Sequence, residues 1–140
     1  QLSESKDSII NGISKKSIKE IRYHFQRSKD WMIRLGLGTE ESNQRIQHAL
    51  NELWMYTSEL FYDSKVEIEL KKEGIAVLSS SLETDWRKKT SDVIIDAGLI
   101  VPENQYHSLQ YGKDGIHTEY LGYLLAEMQH LPLLYPDAKW

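Results

Sequence analysis

Proline, which removes a backbone donor and clashes with the preceding turn, is confined to positions 102, 132 and 136 of this 140-residue chain. The stretch before Pro102 is therefore free to be helical, and its apolar residues recur at helical spacing. Ile10, Ile13, Ile21, Phe25, Met32 and Leu35 fall on one broad stripe, which predicts a helix from about Asp7 to Leu35. Gly36 and Gly38 are expected to end it by supplying positive φ. Thr39 is a good N-cap for a second helix, with Glu40 and Glu41 at the positive end of its dipole. That helix is predicted to run to about Phe61, burying Ile46, Leu50, Leu53, Thr57 and Leu60. A short glycine linker between two long helices implies an antiparallel hairpin.

Residues 62–80 carry mixed signals. Lys65 to Leu70 alternates as a strand would, but one strand without a partner makes no sheet, so an extended or short helical surface connection is expected. Ser80-Ser81-Leu82-Glu83 fits a capping box, serine at the cap and glutamate three residues on. The helix it opens carries Leu82, Trp86, Val93, Ile94 and Ala97 and ends at Gly98. Val101 to Gly115 reads as a loop. A last helix is expected over Ile116–Leu131, with Tyr120, Leu121, Leu124, Leu125, Met128 and Leu131 inward and Pro132 and Pro136 breaking it. No repeat or linker divides the chain, so residues 1–140 are expected to form one all-α domain. The long stripes need more partner surface than the short helices offer. That predicts a homodimer, or a chain whose first helices lie outside this sequence.

Several function classes lose their usual signatures here. The net charge of −4 gives no global attraction to nucleic acid, and Lys15-Lys16 and Arg87-Lys88-Lys89 read as solvated helix faces. No cysteine is present, which removes disulfides, thiolate ligands and a cysteine nucleophile and fits a cytoplasmic protein. No apolar run approaches the ~20 residues of a membrane span, and Gln1-Leu2-Ser3-Glu4 lacks the features of a signal peptide. Neither a nucleophile elbow nor a phosphate-cradling loop appears.

The run Lys19-Glu20-Ile21-Arg22-Tyr23-His24 is the main chemical constellation. Di-iron helical bundles take glutamates and Glu-x-x-His pairs from inward helix faces. Here Glu20 lies four residues before His24, while the position three before it holds Ile21. Steps of three and four residues turn a helix by about 300° and 400°. The two spacings thus aim a carboxylate to opposite sides of the imidazole. The run is either a variant ligand pair or a metal motif that has lost its carboxylate, or else His24 is a buried histidine bonded to a neighbouring acceptor. Glu127-Met128-Gln129-His130 is a literal Glu-x-x-His, but at a helix end. His117-Thr118-Glu119 opens the last helix, where Glu119 suits the dipole, Thr118 or Asp114 can cap, and His117 is a possible catalytic group or a docking residue. Tyr106, Tyr111, Tyr120, Tyr123 and Tyr135 crowd the last quarter, a composition found in cores and in interfaces.

Taken in order, Ile18 to His24, Trp31 to Thr39, Leu53-Trp54 with Ser58 to Phe61, Glu73 to Val77, Gly115 to Gly122, Leu125 to Gln129 and the terminal Trp140 resemble the C subunit of the phenylacetyl-CoA 1,2-epoxidase complexes. The resemblance covers nearly the whole chain and matches the C-terminal part of that protein. It implies a partial ferritin-like bundle lacking the family's N-terminal helices. It also implies a structural role beside a di-iron catalytic subunit in aerobic phenylacetate catabolism, with electrons from an NADPH-dependent reductase and no cofactor on this subunit. On that reading Ile21 is a degenerate ligand position, Glu20 and His24 are remnants, and His117, Glu119, Tyr120 and Tyr123 are interface candidates. The alternative the resemblance leaves open is a ferritin-like oxygenase subunit with its own iron at Glu20 and His24.

Overall fold

A computed structural model describes residues 1–103 and 112–139. The chain divides into two compact units, Gln1–Ser108 and Leu109–Trp140. The regular elements among the described residues are all helical: α1 (Ser8–Gly36), α2 (Glu40–Trp54), α3 (Lys65–Lys72), α4 (Glu83–Asp96) and α5 (Tyr120–Leu134), joined in places by short 3-10 turns. The all-α expectation holds.

In the first unit, α1 starts where the sequence placed it. The Asp7 carboxylate accepts from Ile9 N and Ile10 N at 2.9 Å each, satisfying two of the free donors at a helix start. The preceding segment is tied to the far side of α3. Lys6 N donates to Gly74 O at 3.0 Å and Ser5 Oγ to Ile75 O at 2.7 Å.

The end of α1 departs from expectation. Neither Gly36 nor Gly38 has positive φ, and the cap residue is Leu37 at φ −93°. Gly36 is required for a different reason. A Cβ there would lie 2.2 Å from Ala97 O and 3.0 Å from Ala97 Cβ, so the glycine permits the end of α1 to lie directly on the end of α4. The positive φ falls instead on Gly98 (φ +67°), which turns the chain after α4 and lets Leu99 N bond back to Ile94 O at 3.1 Å.

Around this contact sits the core. Trp54, Ile94, Ala97 and Leu99 are buried, Ile94 fully, with Met32, Ile33, Ile46, Leu50, Trp86 and Val101 packed against them. The register follows from named contacts. Lys89 borders a groove with Ile21 and Phe25 while Ala97 meets Gly36, so α4 runs in the same direction as α1. Trp54 stacks on Trp86 with ring centroids 5.9 Å apart, while Gln47 Nε2 donates to Ile100 O at 3.0 Å, so α2 runs opposite to α4. Hence α1 and α2 form the expected antiparallel hairpin, with α4 completing a three-helix layer.

Three local readings change. The second helix stops at Trp54 and tightens into a 3-10 turn over Met55–Phe61. Thr57 Oγ1 donates to Trp54 O at 2.8 Å, a side-chain bond that competes with the helical ladder. Leu53 and Leu60, expected inside, are exposed. Residues 65–72 are a capped helix rather than an extended connection, opened by a capping box between Ser64 and Glu67. No such box forms at Ser80 and Glu83. There the N-cap is Leu82 without a side-chain bond, because Glu83 Oε1 takes Arg87 Nε at 2.7 Å and Ser80 bonds Asp63 instead.

The second unit holds a turn at Gly112–Asp114, Gly115 at φ +84°, and α5. The expected start at Ile116 moves to Tyr120, since Leu121 N and Gly122 N bond three residues back, to Thr118 O and Glu119 O, each at 3.2 Å. Pro132 lies inside the helix, which continues to Leu134. A proline this near the end removes only one ladder bond, and Tyr135 N still closes on Leu131 O at 3.0 Å. Of the six residues expected inward, Leu121 alone is half-buried, and the other five are exposed. Ile13, Ile21, Phe25 and Leu35 on α1 are exposed as well, so its stripe is covered only at Ile10 and near Met32 and Ile33.

Gly36→Ala is expected to destabilise the first unit by about 1–3 kcal/mol, the usual range for an overpacked contact. Backbone lies in the way of the added methyl, and backbone cannot step aside as a side-chain end does. Urea unfolding monitored by tryptophan fluorescence measures this. An unchanged midpoint would contradict the close α1–α4 contact.

Candidate functional site

The run at the centre of the sequence reading lies in the middle of α1, and its three key side chains, Glu20, Ile21 and His24, are all exposed. Histidine 24 is therefore not the buried, bonded histidine that the sequence also allowed. Its ring meets Tyr23 edge-on, centroids 5.7 Å apart. Ile21 is 62% exposed and lines an open groove with Arg22, Phe25, Gln26 and Lys89. Glu127 and His130 are exposed on α5.

Among the described residues, no group of three or more His, Asp or Glu side chains lies close enough to hold a metal ion. A di-iron centre needs several carboxylates and imidazoles converging from facing helices. The donors present, Glu20 and His24 with Ile21 between them, do not fit such a centre.

The remaining candidates fall at the start of α5. His117 precedes the helix, Glu119 occupies its N-cap position without a side-chain cap bond, and Tyr120 and Tyr123 lie in its first turn. Neither Thr118 nor Asp114 caps it, and Asp114 belongs to the preceding turn. All four candidates are exposed, so the helix start presents an imidazole, a carboxylate and two phenols outward. Tyr106 and Tyr111 lie outside the described residues.

One polar cluster was not anticipated. Ser80 Oγ and Ser80 N both donate to Asp63, the backbone bond at 3.0 Å. Beside them, Ser79 Oγ donates to Glu67 Oε1 at 2.8 Å, and the other Glu67 oxygen accepts from Ser64 N at 2.8 Å. The start of α3 is thereby clamped to the turn before α4. The Ser80 hydroxyl and backbone N–H hold the Asp63 carboxyl below its ordinary 3.8, because both bonds favour the ionised form. The spacing of Ser64 and Glu67 was a legible signal for the capping half of this cluster. The pairing with Ser79 and Ser80 was not legible, since it joins positions far apart in the chain.

A family model described as phenylacetic acid catabolic protein matches residues 1–140. The chain belongs to this family. It is 44% identical over 140 residues to the C subunit of 1,2-phenylacetyl-CoA epoxidase from Escherichia coli (strain K12). The match takes in 100% of this chain and 56% of that protein, so the chain spans little more than half the length of its relative. Its fold is an all-α, ferritin-like helical bundle in which much of the stripe on α1 is exposed. No helix among the described residues is long and apolar enough to cross a membrane.

The Asp63–Ser80 bond makes stability depend on pH with a definite sign. The carboxyl titrates lower in the folded chain than in the unfolded chain. Its contribution is therefore complete above the ordinary 3.8 and fades as pH falls through the lower folded value. Ser80→Ala is expected to lower the urea midpoint at neutral pH, with the gap to the parent closing in acid below 3.8. A gap of constant size across that range would remove the role assigned to this bond.

Proposed function

We propose that the chain is a supporting, non-catalytic subunit of a multicomponent oxygenase in aerobic phenylacetate catabolism, the complex that epoxidises the ring of phenylacetyl-CoA. One observation carries the reading. In a chain 44% identical to the C subunit of an epoxidase, the position three before His24 holds an apolar Ile21, and no set of ligands gathers around it among the described residues. An isoleucine cannot supply the charge that offsets iron, and a lone exposed imidazole binds metal weakly beside a multidentate site.

On this reading the di-iron centre belongs to a companion catalytic subunit, and an NADPH-dependent reductase supplies electrons to the complex. The chain itself holds no cofactor and works in the cytoplasm. Its task is structural: it presents helix faces against which the companion is held in its working shape. The exposed Ile13, Ile21 and Phe25 of α1 and the apolar residues of α5 also favour self-association when the chain is alone. Light scattering on the isolated chain is expected to give a homo-oligomer, and a monodisperse monomer would count against that part of the proposal.

Iron content separates the supporting subunit from an oxygenase subunit with its own site. The purified chain is expected to carry iron well below one per chain, with no difference in His24→Ala. Stoichiometric iron that disappears in His24→Ala would overturn the supporting role. Ile21→Glu is expected not to create tight binding of two irons, since one restored carboxylate still lacks partners from other helices.

A further inference from the structure

A supporting subunit requires a surface that grips its companion. Resting on that supporting role, we propose that the row Tyr23, Arg27, Trp31 and Arg34 on α1 is the gripping surface, and that it docks an acidic protein face.

The row is continuous: positions 23, 27 and 31 are one helical turn apart, and 34 lies three residues further on the same side. It lies on a different side of α1 from Ile21 and Phe25. Together with Gln26 and Asp30 these residues line one open groove. Tyr23 is 60% exposed and Trp31 46%. The Arg34 guanidinium lies 5.0 Å over the Trp31 ring, a contact that favours this pairing of the two side chains. Exposed tyrosine, tryptophan and arginine in one patch match the composition of protein–protein hot spots.

Charge selects the partner. Neither Arg27 nor Arg34 makes an ion pair among the described residues. The nearby Asp30 carboxylate accepts from Gln26 Nε2 at 2.7 Å. α1 also carries Lys15, Lys16, Lys19, Arg22 and Lys29 against Glu20 and Asp30, within a chain of net charge −4. A basic row with aromatic flanks complements carboxylates on a folded surface. It does not suit a small ligand, because an open groove cannot enclose one. Nor does it suit a nucleic acid, whose binding rests on many phosphate contacts where the row itself offers two arginines.

The test is calorimetric titration of the whole chain with the purified di-iron companion subunit of its complex. Arg27→Glu combined with Arg34→Glu is expected to weaken binding by about tenfold or more. Lys71→Glu combined with Lys72→Glu on α3, with the same change of charge, is expected to leave binding within about twofold. Tyr23→Ala, which removes a ring that is 60% exposed, is expected to weaken binding as well, and it covers the case in which the arginine double variant fails to fold. If the companion binds the parent and the row variants equally, the surface is elsewhere while the supporting role stands. If it does not bind the parent at all, the supporting role fails and the docking surface with it. Binding of a single-stranded oligonucleotide that is lost in the arginine variant would reassign the row to nucleic acid and overturn the proposal.

Discussion

The contact of Gly36 with Ala97 is the constraint on which the first unit depends. It brings two helix ends to backbone distance, and every larger side chain at position 36 would hold them apart. With the ends fixed, Ile94 is sealed between α1 and α2, and Gly98 and Leu99 turn the chain across them. Trp54 and Trp86 then fill the other end of the same seam, with Phe61 edge-on to Trp86 at 5.2 Å. The Lys29–Asp96 pair flanks this core in a partly exposed position, where an ion pair contributes little beyond orientation.

That core is small for the apolar content of the chain. Four hydrophobic residues are buried among the described ones, while the stripe of α1 and most of α5 remain exposed. A helix that is apolar on most of its circumference, as α5 is, ordinarily sits inside a larger assembly. The chain spans 56% of its relative's length. The supporting role accords with this physical situation, because a surface left apolar is a surface that gains from association.

The distribution of polar groups points the same way from the side of chemistry. Acid and base side chains that resemble a metal motif are spread along an exposed helix face, where water solvates each of them separately. The groups that do converge, Asp63, Glu67, Ser79 and Ser80, are bonded to one another and brace α3 against α4. Among the described residues, the convergence of these groups is structural.

Much of the local structure was legible from the residues. Asp7 and Thr39 cap helices because their side-chain oxygens reach free backbone donors two or three residues on, a relation contained within a few positions of sequence. Gly98 ends α4 because glycine alone adopts the left-handed turn without strain. That position 21 carries no carboxylate for His24 was also readable, since isoleucine stands three residues before the histidine on the same helix. What only the tertiary structure decided were the competitions between distant groups. Ser80 abandons the expected cap because Asp63 lies across from it, and Gly36 serves a close approach rather than a turn because Ala97 arrives there. Which stripe is covered and which is bare was settled in the same way. Periodicity marks a face as apolar, but burial depends on whether another element is present to meet it.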